Sequence, residues 1–193
     1  MERETKQFRS VMKNPEIREE NNELHIAGYF AVFNKNYEMF EGASESIAQG
    51  AFTNSLQNDV RALINHDDTL VIGRTTAGTL TIREDDFGLW GDVIINPKDT
   101  DAMNIYARVQ RGDVNQCSIG FFITSEETEF REDGSVHWTI KDVDLFEVSV
   151  CTFPAYTDTS VQARKHDLEE LKAKRLEAMK VRTLAKLKGE QKC

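Results

Sequence analysis

Between residues 24 and 152 the chain is a succession of short runs rich in β-branched and aromatic residues, each broken by turn chemistry, and this commits most of it to strands. The runs over 24–33 and 60–65 are two of them. Residues 79–83 alternate, Asp85-Asp-Phe-Gly88 supplies a turn, and 89–95 resumes the extended pattern, which predicts a hairpin. A second hairpin is expected from 117–123 and 136–140, flanking an acidic loop that contains Glu132-Asp-Gly-Ser135. A last strand over 145–152 ends at Phe153-Pro154-Ala155, with Asp142 and Asp144 before it as turn residues. Helical spacing occurs internally at only two places, Gly50 to about Asn58 and Thr100 to about Arg111. The expected fold is mainly β with peripheral helices, a closed or nearly closed β-barrel surrounded by α-helices.

Charge divides the chain. From Ser160 onward there are ten Lys/Arg against five Asp/Glu, whereas the whole chain of 193 residues has 24 against 33 and a net charge of −9. The span 160–193 is expected to form a basic amphipathic helix of about 20 to 28 residues, carrying Leu168, Leu171, Leu176, Met179, Leu184 and Leu187. Residues 21–159 make the β domain, and 1–20 are expected to be a flexible segment. An acidic chain is a poor generic ligand for nucleic acid. No apolar run approaches the roughly 20 residues of a bilayer span, and no secretory leader is evident, so neither nucleic acid nor membrane is expected as a partner. Three widely spaced cysteines, Cys117, Cys151 and Cys193, fit neither a disulfide framework nor a zinc site.

Three positions could carry chemistry. His66 ends a strand in Ile64-Asn-His-Asp-Asp68, where an imidazole can take and return a proton at neutral pH. The bland alternative is a surface histidine bonded to a loop. Asp67 and Asp68 invite a metal, but no second histidine stands at ligand spacing, since His25, His137 and His166 are scattered; no metal or cofactor is expected. Cys117 and Ser118 are adjacent nucleophiles on one strand, so only one can face a given histidine. If Cys117 shares a face with Ile119, Phe121 and Ile123, then Ser118 lies beside Gly120, where a missing side chain leaves room for a peptide and an oxyanion. Glu147 interrupts the apolar Leu145-Phe-Glu-Val-Ser-Val150. It either faces solvent or pairs with a partner such as an imidazole.

Together these segments resemble the prohead maturation proteases of tailed bacteriophages. The likeness runs from about residue 24 to 163 and rests on the order of six pieces: Gly28-Tyr-Phe-Ala-Val-Phe33; Glu45-Ser-Ile-Ala-Gln-Gly-Ala-Phe52, where Gln49 stands at a position that is often proline; Asn65-His66-Asp67; Ile72-Gly-Arg74 with Phe87-Gly-Leu89; Ser118-Ile-Gly-Phe121; and Asp144-Leu-Phe-Glu-Val-Ser-Val150 with Phe153-Pro-Ala155. The resemblance implies a serine endopeptidase with a fold similar to the herpesvirus capsid assembly proteases; the alternative is a non-catalytic capsid- or scaffold-associated structural protein on the same fold. Ser118 would be its nucleophile, His66 its general base and Glu147 the residue that orients His66, with Asp67 or Asp68 as alternatives for the third member. It also implies a main-chain oxyanion donor near Gly120 and Arg74 as a helper. The implied substrates are scaffolding protein or a scaffold-like segment of the major capsid protein, and the protease itself, cut in the first 20 residues or after Val161. The implied place of action is the prohead in the bacterial host cytoplasm, with self-association of the enzyme.

Overall fold

The computed structural model describes residues 6–11, 15–153 and 158–190. Two compact units emerge, residues 1–157 and 158–193. The first begins with β1 (Gln7–Val11), β2 (Glu16–Glu20), β3 (Glu23–Val32), β4 (Tyr37–Phe40) and β5 (Ala43–Ile47). It continues through β6 (Arg61–Ile64), β7 (Asp67–Arg74), β8 (Leu80–Glu84) and β9 (Gly88–Ile95) to α1 (Thr100–Arg111). The long pair β10 (Gln116–Phe130) and β11 (Val136–Cys151) completes it. The second unit is one helix, α2 (Asp158–Glu190), longer than the sequence predicts, with Leu176, Met179 and Val181 exposed.

The fold is mainly β, but among the described residues the strands do not close into a barrel. A seven-stranded sheet runs β1-β10-β11-β5-β4, with β6 joined to β11 and β7 to β6, and a four-stranded sheet runs β2-β3-β9-β8. The reason lies in the length of β11. Its first half pairs in parallel with β5 and its second half in parallel with β6, so the sheet branches where a barrel would have to close. Asp142 and Asp144, expected in a turn, lie within β11. Their carboxylates accept hydrogen bonds from Thr124 and Asn54, and from Asn58, which lets the strand run through. The helix expected from Gly50 is only a 3-10 turn at Thr53–Ser55, whereas α1 has the expected bounds, capped by Asp99 and ended by Gly112 at φ 87°.

The two sheets enclose one core. Ile26, Phe30, Leu89 and Val93 of the smaller sheet and Ile119, Phe121, Val148 and Val150 of the larger are all buried. Each such side chain contributes roughly 1.5–3 kcal/mol relative to exposure. Two strands also lie within the span expected to be flexible. β2 pairs with β3, and β1 pairs with β10 in the register Phe8 to Gly120, Arg9 to Ile119 and Ser10 to Ser118.

Candidate active site

β6 and β7 form an antiparallel pair joined by only two residues, Asn65 and His66. Both have positive φ, 53° and 62°, the sign that a two-residue I′ turn requires at both positions. Asparagine tolerates this conformation; histidine there is strained and must be held from outside. It is held by the end of β11: the Asn65 N–H donates to the Val150 carbonyl, the Thr152 N–H to Asn65 Oδ1, and the His66 N–H to Ser149 Oγ at 3.2 Å. The turn thereby presents the His66 ring over the β10–β11 pair.

There His66 Nδ1 meets Glu147 Oε1 at 2.6 Å, while Glu147 Oε2 accepts a 2.6 Å hydrogen bond from Ser149 Oγ. Glu147 is 2% exposed. A carboxylate at that depth is tolerated because both oxygens are engaged. Strand parity places Ser149 on the same face as Glu147, two positions on, and the turn that gives it a task comes from elsewhere in the chain. With the carboxylate accepting, Nδ1 carries the ring hydrogen and Nε2 is the basic nitrogen. Beside Ser118, the room left by Gly120 is filled by Glu147 itself: a Cβ at 120 would lie 2.3 Å from Glu147 Oε1.

Ser118 is the register partner of Ser149 and therefore shares the face of the histidine and carboxylate. It is completely buried, and its Oγ donates at 3.0 Å to the carbonyl of Arg9 on the neighbouring strand β1. Cys151 Sγ lies 3.7 Å from His66 Nε2. Ser118 lies close enough to the same thiol to lower its proton affinity slightly, against the larger effects that raise it. Burial and the Glu147 charge push the Cys151 thiol up to about 12. Cys117 sits on the opposite face, fully buried, with its thiol pushed up further by burial. Neither is a ready thiolate at neutral pH.

The remaining sequence candidates fall elsewhere. Asp67 is exposed, and its carboxylate caps the N–H and hydroxyl of Thr69. Asp68 is exposed as well. Arg74 forms a surface ion pair with Asp59, at 2.6 and 2.7 Å. Phe8 lies against the His66 ring, centroids 4.5 Å apart, and a cavity of about 360 Å³ opens beside the histidine, lined by Asn65, His66, Cys151, Thr152 and Phe153. Among the described residues, no helix is long and apolar enough to cross a membrane.

Comparison with known proteins gives this geometry a family. Over 142 residues the chain is 30% identical to the prohead protease of Enterobacteria phage HK97, an alignment covering 72% of this chain and 59% of that one. The chain thus spans about three fifths of that relative's length. In fold it is similar to the capsid assembly protease of bacteriophage T4, with a TM-score of 0.53 at 11% identity, covering 77% of this chain and 98% of that one. Residues 11–174 match the caudovirus prohead serine protease profile, and the chain belongs to that family.

Proposed function

We propose that this chain is a serine endopeptidase of prohead maturation, with Ser118 as nucleophile, His66 as general acid and base, and Glu147 as the residue that orients and charge-stabilises His66. The observation that carries this reading is the 2.6 Å bond from His66 Nδ1 to a buried carboxylate, on the face of the sheet that bears Ser118. In the reaction His66 Nε2 removes the Ser118 proton as Oγ attacks the scissile carbonyl. The imidazolium, paired with Glu147, then delivers the proton to the leaving amine, and water releases the acyl group by the reverse steps. In the resting state Ser118 instead donates to the Arg9 carbonyl, so β1 must move or be cut before another substrate is served.

The substrates on this reading are scaffolding protein or the scaffold-like part of the major capsid protein, and the enzyme itself, processed inside the assembling prohead in the host cytoplasm. Self-association within the particle, and kinship with the herpesvirus capsid assembly proteases, belong to the same reading. Co-expression of the chain with its capsid precursor tests it. The precursor is expected to be shortened by the wild type and to stay intact with Ser118→Ala or His66→Ala. Equal processing by wild type and Ser118→Ala would overturn it.

A further inference from the structure

Arg9 is 1% exposed, an arginine side chain packed wholly inside the protein. Its guanidinium is paired with the carboxylate of Glu45, itself 0% exposed. Nη1 donates to the Phe8 carbonyl at 2.7 Å, Nη2 to Gln7 Oε1 at 3.4 Å, and the guanidinium stands 5.9 Å from the centroid of the Phe121 ring. The two partners come from unlike parts of the fold. Glu45 is on β5, built into the sheet between β11 and β4, whereas Arg9 is on β1, a strand whose one ladder among the described residues is with β10. A carboxylate placed so deep is unfavourable without its cation.

The same residue touches the nucleophile. The carbonyl that accepts from Ser118 Oγ at 3.0 Å is that of Arg9. Arg9 therefore has its main chain at Ser118 and its side chain against Glu45. β1 runs antiparallel to β10 as an added edge strand, the arrangement in which main-chain bonds give affinity and side-chain pockets give selectivity. On the opposite face of the strand, Phe8 packs on His66.

We propose that Glu45 sets the cleavage specificity, that the enzyme cuts after a basic residue, and that Arg9–Ser10 is the bond it cuts in its own chain. This rests on the serine protease reading above. Ser118 Oγ bonds to the Arg9 carbonyl carbon as its proton passes to His66 Nε2; the Arg9–Ser10 C–N bond breaks as that proton moves to the Ser10 nitrogen. Water then adds to the acyl-enzyme, freeing the Arg9 carboxylate and restoring Ser118. Loss of the segment up to Arg9 would leave the Glu45 pocket and the edge of β10 open to a second chain bearing Arg or Lys at the matching position.

The test uses the full chain and three peptides, Lys-Gln-Phe-Arg-Ser-Val and the same sequence with Ala or Glu in place of Arg, with products located by mass spectrometry. Wild type is expected to cut after Arg with kcat/KM about 100-fold above the Ala and Glu peptides. Glu45→Gln is expected to lose most of that preference, and Glu45→Lys to favour the Glu peptide. The ranking by wild type needs no variant to fold. Hydrolysis of all three at similar rates, or at another bond, overturns the specificity while leaving the protease reading intact. If wild type cuts none of them, or Ser118→Ala cuts as fast as wild type, the protease reading falls and the specificity with it.

Discussion

Gly120 and Glu147 are register partners on β10 and β11, and the Glu147 carboxylate occupies the space that any side chain at position 120 would need. The glycine and the acid are therefore one feature: a strand without a side chain at that point lets a carboxylate fold across it toward His66.

Gly120→Ala is expected to displace Glu147 from His66. The added methyl would sit 2.3 Å from Oε1, so the carboxylate must move or the strands must part. Overpacking of this kind costs about 1–3 kcal/mol. Urea denaturation should show that loss, with peptide hydrolysis down by about 100-fold or more. Combined with Glu147→Ala, the second change should add almost nothing to the rate loss, because both disrupt the same contact.

Glu147→Gln keeps the shape but removes the charge that stabilises the imidazolium, and it can also present its NH₂ to Nδ1. A fall in kcat of roughly 10²- to 10⁴-fold is expected, with KM little changed. Ser149→Ala leaves Glu147 Oε2 and the His66 N–H without this partner. It should cost about 1–3 kcal/mol in stability and reduce kcat about 10-fold through a looser His66 turn. Steady-state kinetics on both variants separates the charge effect from the positioning effect.

Treatment of the native chain with iodoacetamide at pH 7.5 should leave Cys117 and Cys151 unmodified and the activity intact. With its thiol pushed up to about 12, Cys151 holds about a thousandth of the thiolate of a free cysteine. Peptide mapping reads the modified positions. Rapid alkylation of either residue with parallel inactivation would point to a thiol nucleophile.

His137 lies buried between the hydroxyls of Ser44 and Ser46, 2.8 and 2.9 Å from its two ring nitrogens. Burial, aided by the Arg131 charge, lowers its proton affinity below that of a free histidine, against smaller opposing contributions from Glu129 and Glu45. The unfolded chain therefore binds this proton first as pH falls. Stability should be at full value above about pH 6.5 and decline as pH drops from there to the lowered folded value. Urea midpoints between pH 7.5 and 5 should show this acid-side slope in wild type and a shallower one in His137→Gln.

Much of the candidate site was legible because strand parity is a local rule. A serine beside a glycine on one strand, an acid interrupting an apolar strand, and a histidine at a strand end each stand out in the sequence, and the fold unites the last two directly. What escaped were relationships that only tertiary pairing creates. Gln7-Phe-Arg-Ser-Val11 carries no turn or periodicity signal, and it becomes a strand because β10 offers it an edge. Asp142 and Asp144 look like turn formers; within β11 their carboxylates are taken up by Asn54, Asn58 and Thr124, and the uninterrupted strand gives a branched sheet in place of a barrel. Gly120 was read as space for a peptide, and the space belongs to Glu147.

The nucleophile is most directly tested by labelling the full chain with a fluorophosphonate probe and mapping the adduct by mass spectrometry. One adduct, on Ser118, is expected in wild type, with labelling at least about 100-fold slower in His66→Ala. An adduct on Ser149 in place of Ser118, or equal labelling of Ser118 in wild type and His66→Ala, would contradict the account.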